Sequence, residues 1–348
     1  MRTVEWDNEN KQVRLIDQRL LPGEFQIVSC ADYRQVAAAI RDMAVRGAPA
    51  IGATAAYGLA LAALHSPART PTDLQKDLEQ AVAILHAARP TAVNLNWALK
   101  RVMRVARQSY GSLEEVRRAI LAEAQQIANE DIEINKRMAS HGATLIDDGD
   151  TIIHHCNTGA LATVDWGTAL GVIRMAHTMG KKVQVLVDET RPRLQGARLT
   201  AWELEQYGIP YEIICDNAAG YFLRTGQVQK VFFGADRVAA NGDVANKIGT
   251  YMLALAAYDN HVPAYCVAPV STIDISIQQG NLIPIEERSP EEVLEIQVGG
   301  QRVAPANARA RNPAFDVTPH RLIRAIVTER GIVYSPYESR LKEIVEQK

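Results

Sequence analysis

The chain has 348 residues, of which 47% are hydrophobic and 22% charged, and its formal net charge is -2. A chain of this length can bury a large core and is long enough for two domains. Its nearly neutral charge provides no basic field for nucleic acid or an acidic membrane, so an anionic partner must be bound by a few local groups. We therefore expect a small-molecule partner, with no nucleic acid and no membrane.

The four cysteines, Cys30, Cys156, Cys215 and Cys266, lie far apart and form no C-x-x-C pair. This spacing disfavours a zinc knuckle or a dithiol redox site. The first eighteen residues are polar and charged, without the apolar segment of a secretory signal. We therefore expect a cytoplasmic protein without disulfides.

The first part of the chain predicts a short strand-like opening followed by helices. Apolar residues recur at helical spacing over 33–44, 74–87, 92–107 and 113–129, and we expect the last helix to continue through 131–141. The uncharged run APAIGATAAYGLALAAL, residues 48–64, approaches membrane-spanning length. Because it consists mostly of Ala and Gly, which drive insertion weakly, we interpret it as a buried helix whose small residues let neighbouring backbones approach.

From about residue 150 onward, short apolar runs alternate with helical stretches. The runs TIIHHC, VQVLVDE, YEIICDN, KVFFGAD and PAYCVAP are separated by helix-like segments, one of them predicted from Asn246 to Asn260. This alternation predicts an α/β fold with a parallel sheet and crossover helices, following a mainly helical N-terminal domain. The change of pattern near Asp147 places the domain boundary between residues 146 and 147.

A parallel sheet binds its ligands outside the carboxyl ends of its strands. Those ends place Cys156, Asp188, Asp216 and Asp236 on one edge of the predicted sheet. No G-x-G-x-x-G and no G-x-x-x-x-G-K-[ST] occurs at these turns, so neither a dinucleotide nor a P-loop nucleotide is supported as a cofactor.

Cys156 ends an apolar run directly before Asn-Thr-Gly. These three residues resemble a turn that opens a helix, whose amides would favour a thiolate or a nearby substrate anion. The alternative is a buried thiol that acts as a small hydrophobic side chain, which is our interpretation of Cys215 and Cys266. A hydrolase with His155 as the base of Cys156 is disfavoured, because strand neighbours point to opposite faces.

Asp236 ends the apolar run FFGAD. Such surroundings would desolvate a carboxylate and raise its affinity for a proton, as a general acid or base near neutral pH requires. The alternative is an aspartate that caps the following turn. A position on the same sheet edge as Cys156 favours the catalytic interpretation.

Three places in the sequence combine helix-start features with a cation. In RGAPAIG, Arg46 adds a fixed positive group, Gly47 and Ala48 leave their amides uncovered, and Pro49 suits the first position of a helix. The alternative for this motif is a tight turn into a buried helix. The others are Arg89, before the helix with NLNWAL, and the pair Asn246 and Lys247, placed at the start of a helix. Together they suggest a phosphorylated ligand.

Gln195 lies in DETRPRLQGARLT, an arginine-rich loop between a predicted strand and a helix. The ordinary interpretation is a solvated surface loop. Its position at the ligand-binding edge of the sheet also makes Gln195 a candidate residue that could close over substrate.

A set of motifs spread over nearly the whole chain resembles the methylthioribose-1-phosphate isomerases of methionine salvage, relatives of the regulatory subunits of eukaryotic initiation factor 2B. The motifs are RGAPAIG, ARPTAVNLNWA, HCNTGALATVDWGTALGVI, DETRPRLQGARLTAWEL, GADRVAANGDVANKIGTY and NPAFDVTPHRLI. The resemblance implies a Rossmann-like second domain over 147–348, a homodimer, and no metal or nucleotide cofactor. It also implies isomerisation of 5-methylthioribose 1-phosphate to 5-methylthioribulose 1-phosphate.

The resemblance also assigns roles to residues of this sequence. Cys156 and Asp236 correspond to the catalytic pair. The residues that would bind substrate are Arg46 with Gly47 and Ala48, Arg89, Gln195, Asn246 and Lys247. One departure from the family pattern is His154, where a threonine is expected; at two residues from Cys156 it could share that residue's face and alter the ionisation of the thiol.

Other functions stay open at this stage. A related isomerase could act on ribose 1,5-bisphosphate, which would need further cations where a methylthio group needs apolar contacts. A non-catalytic regulatory subunit is not expected to keep both Cys156 and Asp236. A protein that only senses a sugar phosphate is also consistent with the motifs.

Overall fold

The structure, a computed structural model, describes residues 2–90, 92–109 and 111–347. The chain forms two compact units: one comprises the residues up to Asn135 together with Gly159–Gly167, and the other comprises Lys136–Thr158 and the residues from Thr168 onward. The first change between units falls inside a helix, whereas the boundary predicted at residues 146 and 147 follows the change of sequence pattern. The two divisions differ because periodicity marks where helices give way to strands, while compactness depends on which residues pack together.

The first unit combines a small antiparallel sheet with a group of helices. Strands β1 (Val4–Asp7), β2 (Gln12–Ile16) and β3 (Ile27–Cys30) pair in that order. The helices are α1 (Tyr33–Arg41), α2 (Ala48–His65), α3 (Pro71–Ala88), α4 (Val93–Gln108) and the part of α5 (Leu113–Ala143) up to Asn135. The strand-like opening and the helices predicted for this region are confirmed, and the two predicted segments over 113–141 form one continuous helix.

Helix α2 is the buried Ala/Gly helix that the sequence predicts. By length and composition it could cross a membrane, but 78% of it is buried inside the protein. Its glycines make close packing possible: a Cβ on Gly52 would lie 3.0 Å from the Asn94 carbonyl oxygen, and one on Gly58 would lie 2.9 Å from Cγ1 of Val36. Small residues therefore let α1 and α4 approach the α2 backbone.

The second unit alternates strands and helices. Its strands are β4 (Thr151–His154), β5 (Gln184–Asp188), β6 (Tyr211–Ile214), β7 (Lys230–Phe233), β8 (Arg237–Ala239), β9 (Val244–Lys247), β10 (Ala264–Val267), β11 (Ile273–Asp274), β12 (Gln297–Val298), β13 (Gln301–Arg302), β14 (Phe315–Thr318), β15 (Ala325–Thr328) and β16 (Gly331–Val333). Its helices are α6 (Ala169–Thr178), α7 (Ala201–Tyr207), α8 (Ala219–Arg224), α9 (Thr250–Asp259), α10 (Glu291–Leu294) and α11 (Tyr337–Glu346).

The main sheet has seven strands in the order β16-β15-β10-β7-β4-β5-β6. Six strands are parallel, and β16 pairs antiparallel with β15 at one edge. The predicted α/β fold with a parallel sheet and crossover helices is confirmed. The strands are short and almost continuously apolar because both faces of such a sheet are covered. Their carboxyl ends lie along one edge, which brings the segments after β4, β5 and β7 together.

A smaller sheet of β11, β8, β9 and β14 follows the GAD motif. Here the prediction of a helix from Asn246 onward is wrong: Asn246 and Lys247 lie in β9, and α9 begins at Thr250 after Gly249. Strands β8 and β9 form a hairpin whose turn contains Gly242, with φ of 89°. The strand conformation prevails because β9 pairs with β8 on one side and with β14 on the other.

Candidate active site

Cys156 has an unusual backbone conformation that two threonine side chains hold in place. Its φ is 65°, in the left-handed region that non-glycine residues rarely adopt. Its N–H donates to Thr190 Oγ1 at 2.9 Å, and its carbonyl accepts from Thr200 Oγ1 at 2.7 Å. Such strain persists only where surrounding contacts enforce it and concentrates at functional sites. The backbone of Cys156 therefore has a defined position beyond the end of β4.

The turn after Cys156 is not the helix start that the sequence predicts. Only a three-residue 3-10 turn, Ala160–Ala162, follows, and α6 begins at Ala169. Thr158 holds the returning chain, because its carbonyl accepts from Thr168 N–H at 2.7 Å and its Oγ1 accepts from Leu170 N–H at 3.0 Å. Residues 159–167 therefore form a loop between the two contacts of Thr158, and the next α-helix begins only after this loop.

Asp236 follows β7, the neighbour of β4 in the sheet. His154 is paired with Phe232 in the register, so the turns that carry Cys156 and Asp236 leave adjacent strands at the same edge. The turns are packed tightly, because a Cβ on Gly234 would lie 2.8 Å from Cγ2 of Thr158. The sequence predicts that Cys156 and Asp236 lie on the same edge of the sheet, and the structure places both residues there.

The desolvation predicted for Asp236 is wrong, since its side chain is exposed. Strand β7 ends at Phe233, and the chain leaves the sheet before it reaches the aspartate. The run FFG is buried, but it does not bury the side chain of Asp236.

Asn246 and Lys247 lie at the same edge of the sheet as Cys156 and Asp236, because contacts at the residues before and after the pair hold them there. The Asp236 N–H donates to the carbonyl of Ala245 at 2.9 Å, and His155 Nε2 lies 3.0 Å from the carbonyl of Ile248. The residue before Asn246 is thus bonded to the Asp236 turn, and the residue after Lys247 is in contact with His155, the neighbour of Cys156.

Both side chains of this pair are buried and held by neighbours. Asn246 Nδ2 donates to Thr250 Oγ1 at 2.9 Å. Lys247 Nζ donates to the Ala314 carbonyl at 2.9 Å and lies 4.5 Å from the ring centroid of Phe315. The predicted roles of Asn246 as a helix cap and Lys247 as a helix-start cation are therefore wrong, although both stay at the ligand-binding edge.

Gln195 is 7% exposed, so the alternative of a solvated side chain is wrong for this residue. Within residues 2–90, 92–109 and 111–347, its Oε1 has no hydrogen-bond partner. The next residue, Gly196, lies against the backbone of β5: a Cβ there would be 1.7 Å from the Asp188 carbonyl oxygen. Because Thr200 ends the same helical turn and bonds to Cys156, Gln195 belongs to the same edge of the sheet.

The remaining predicted site residues belong to the first unit. Gly47, with φ of 95°, caps α2, and Ala48 and Pro49 are its first two residues, so Pro49 is at the second rather than the predicted first position. Arg46 and Arg89 are half-buried, and Arg89 follows the last residue of α3. Thr91 of the RPTAVN motif lies outside the described residues.

Within the first unit, the two motifs with these arginines lie near each other. Gly52, in the first turns of α2, packs against Asn94 in the first turn of α4 at the distance given above. The RGAP turn and the connection between α3 and α4 therefore meet at one end of the helix group, where α2 offers its first amides.

The sequence did not predict the partner of His155. Its Nδ1 lies 2.8 Å from Asp188 Oδ2, and both side chains are 1% exposed. Burial raises the pKa of Asp188 to about 6. Burial is the largest single effect on His155 and opposes its protonation, but the hydrogen bond to Asp188 and the charges of Asp188 and Asp216 together outweigh burial and raise the pKa of the imidazole. The sequence did show that Asp188 ends a strand, but its pairing with His155 could be found only from the register of β4 and β5.

By residue type, His155, Asp188 and Asp216 could hold a metal ion, since their ligand atoms lie within 4.8 Å of one another. Each of these groups already bonds to protein. Asp216 accepts from the N–H groups of Thr190 and Arg191, both at 2.7 Å, and His155 is paired with Asp188. The arrangement thus works as a hydrogen-bond network that joins the ends of β4, β5 and β6.

His154, the departure from the family pattern, is fully buried. Its Nε2 lies 2.8 Å from Thr158 Oγ1, and burial lowers its pKa to about 3. The imidazole is therefore neutral near pH 7 and adds no positive charge beside Cys156. Its contact stabilises the Thr158 turn instead.

We expect His154→Thr to reduce the acid sensitivity of the protein. The unfolded chain takes up a proton near pH 6.5 and the folded imidazole does not, so this group costs stability as the pH falls through 6.5. From pH 7 to pH 5 the wild type should lose about 2 kcal/mol more than the variant. Urea unfolding at both pH values measures the difference.

The matched control is His86→Thr, on the exposed side of α3. It is expected to keep the pH dependence of the wild type. Equal slopes for His154→Thr and the wild type would show that His154 is not a buried neutral base.

The other cysteines differ in their surroundings. Cys266 is buried in β10, which confirms its interpretation as a small hydrophobic side chain, and burial raises its pKa. Cys215 is exposed, so the same interpretation is wrong for it. It follows β6, the last strand at one edge of the sheet, where no further strand covers it.

Comparison with known proteins places the chain in a family. The model of the initiation factor 2 subunit family matches residues 44–335. The chain belongs to this family. Among curated proteins, methylthioribose-1-phosphate isomerase of Fervidobacterium nodosum is 53% identical over 99% of this chain and 98% of the relative. That of Acetivibrio thermocellus is 52% identical over 96% and 97%. The resemblance that the motifs predict is confirmed.

Solved structures also resemble this chain in sequence and fold. The 5-methylthioribose 1-phosphate isomerase from Pyrococcus horikoshii is 49% identical, covers 99% of this chain and 96% of its own, and has a TM-score of 0.93. A structure described as translation initiation factor eIF-2B, subunit delta, from A. fulgidus is 41% identical over the full length of both chains, with a TM-score of 0.90. Solved structures similar to this chain thus carry both an enzymatic and a translation-factor description.

Proposed function

We propose that this protein is an aldose-ketose isomerase of methionine salvage that converts 5-methylthioribose 1-phosphate to 5-methylthioribulose 1-phosphate, with Cys156 and Asp236 as its acid/base pair. The observation that carries the proposal is the placement of these two residues on turns that leave adjacent parallel strands, with Cys156 held in a left-handed conformation. Enzymes described as methylthioribose-1-phosphate isomerases, about half identical over nearly the whole chain, support the substrate.

The chemistry explains why a pair of groups is needed. The anomeric oxygen of this substrate carries a phosphate, so the ring cannot open to a free aldehyde as an ordinary aldose does. The protein must open the ring without losing the phosphoryl group. We assign to Asp236 the proton transfer at sugar oxygens during opening, and to Cys156 the proton transfer between C2 and C1.

The predicted binding residues supply cations, amides and an amide side chain for the sugar phosphate. Arg46, with the Gly47 and Ala48 amides at the start of α2, and Arg89 suit a phosphate group, as does Lys247. Gln195 has a buried Oε1 that lacks a partner among the described residues, so a sugar hydroxyl that donates to it would satisfy this acceptor.

The route of the hydrogen between C2 and C1 is open to test. Proton transfer by Cys156 predicts that deuterium from D2O enters the product at C1, because a thiol exchanges its proton with solvent. Complete retention of the C2 hydrogen would support hydride transfer and leave Cys156 a different role. Mass spectrometry of product formed in D2O distinguishes the two.

The deciding experiment is turnover by the purified wild type of 5-methylthioribose 1-phosphate and, separately, of ribose 1,5-bisphosphate. Preference for the methylthio substrate is expected. Preference for the bisphosphate would assign the related isomerase activity. Turnover of neither by folded protein would favour a regulatory subunit or a sugar-phosphate sensor, for which isothermal titration with each sugar phosphate is the next measurement.

The resemblance carries two further proposals, that the protein acts without a metal or nucleotide cofactor and that it forms a homodimer. Its four cysteines, all among the described residues, form no disulfide and support a third proposal, that it works in the cytoplasm. Activity after exhaustive dialysis against EDTA tests the first, and sedimentation of the purified protein tests the second.

A further inference from the structure

His155 is a buried titratable residue for which the proposed reaction has no use. It stands next to Cys156, and its ring nitrogens lie against Asp188 Oδ2 and the carbonyl of Ile248, which follows Asn246 and Lys247. Both ring nitrogens lie within hydrogen-bond distance of oxygens. Its two contacts therefore join three segments: the Cys156 turn, the end of β5 and the end of β9.

The identity of the partners determines where the protons lie. A carbonyl oxygen only accepts, so Nε2 must carry the hydrogen that bonds to Ile248. Asp188 then faces Nδ1, and one proton is shared between that nitrogen and Oδ2. An aspartate on one ring nitrogen in this way fixes the orientation of the imidazole and keeps the other nitrogen a donor.

The segment after β9 fits closely around the imidazole. A Cβ on Gly249 would lie 2.8 Å from Cε1 of His155, and the φ of Gly249 is 103°. From the other side Asp316 accepts from the N–H of Gly249 at 2.7 Å and from that of Tyr251 at 3.1 Å. The turn between Lys247 and α9 is thus held between His155 and Asp316.

We propose that His155 is a positioning residue: through its Nε2–H bond to the Ile248 carbonyl it fixes Asn246 and Lys247 for substrate binding relative to the Cys156 turn, and Asp188 orients it. This inference rests on the proposed function, because it is substrate that Asn246 and Lys247 would bind. Loss of the bond displaces two binding groups without removing either catalytic group, so KM should change more than kcat.

Two conservative variants separate the contacts of the ring. His155→Gln keeps an N–H near the Nε2 position, whereas His155→Asn keeps one near Nδ1 and loses the donor to Ile248. We expect His155→Asn to raise KM for 5-methylthioribose 1-phosphate at least tenfold with kcat within threefold of wild type, and His155→Gln to keep KM within threefold. A purely structural role would change both variants alike, in step with their thermal melts.

Equal KM values for the two variants would overturn the inference while leaving the isomerase proposal intact. A wild type without turnover would overturn the proposed function and the inference with it. If the variants do not fold, NMR of the wild-type protein with 15N-labelled histidine tests the inference. A protonated Nε2 of His155 at pH 8 supports it, and an unprotonated Nε2 overturns it.

Discussion

Replacing Asp236 with asparagine is expected to lower kcat by about 10²–10⁴-fold, the usual contribution of a positioned acid or base. Cys156→Ser is expected to lose activity on a similar scale, because a serine hydroxyl gives up its proton far less readily than a thiol. KM should stay close to that of wild type in Asp236→Asn, since the aspartate would act on the reacting oxygens and not on the phosphate. Steady-state kinetics with 5-methylthioribose 1-phosphate measure both effects.

The chain offers a matched control for each substitution. Cys215→Ser alters an exposed thiol of the same unit, and Asp259→Asn alters an exposed carboxylate at the end of α9. Both controls should keep wild-type activity. Full activity in a well-folded Cys156→Ser would return this cysteine to an ordinary structural role, and full activity in Asp236→Asn would exclude its carboxylate as the acid or base.

Replacing Gly47 with alanine is expected to have the largest effect on stability. The Cβ would lie 2.3 Å from the carbonyl oxygen of Ala162 and 2.5 Å from its Cα, both of them backbone atoms that cannot rotate away. The φ of 95° adds the strain of a left-handed residue. We expect strain of about 1–2 kcal/mol from the conformation and about 1–3 kcal/mol more from overlap. Urea unfolding monitored by circular dichroism measures the sum.

Gly180→Ala isolates the first of these contributions. Its φ is 89°, close to that of Gly47, but a Cβ there would have no neighbour within 4 Å. This control should lose only the conformational part and keep its activity. Gly47→Ala should in addition raise KM, because the amides at the start of α2 would move. Equal loss of stability in the two variants would show that the RGAP turn relaxes without cost.

Much of the candidate site could be predicted from local sequence. Cys156 and Asp236 each end an apolar run, and in a parallel sheet the ends of such runs meet at one edge, so their proximity needed only the strand pattern. The buried Ala/Gly helix and the RGAP turn were likewise predicted from composition and from proline and glycine. Each of these features depends on residues within a few positions of one another.

The sequence predictions are wrong where contacts with distant parts of the chain determine the conformation or the burial of a residue. Asn246 and Lys247 are residue types typical of a helix start, yet pairing with Asp316 and Phe315 of β14 makes them part of a strand. Cys215 was expected to be buried, but β6 is the last strand of the sheet and leaves it exposed.

The sequence by itself determined the alternation of strands and helices, the edge of the sheet where ligands bind and the residue types available there, because these follow from periodicity and from the fixed direction of parallel strands. Only the tertiary structure decided the left-handed backbone of Cys156 between Thr190 and Thr200, the pairing of His155 with Asp188, and the exposure of Asp236. These depend on hydrogen bonds and packing between residues more than thirty positions apart, or on where a strand leaves its sheet, and no local pattern contains that information.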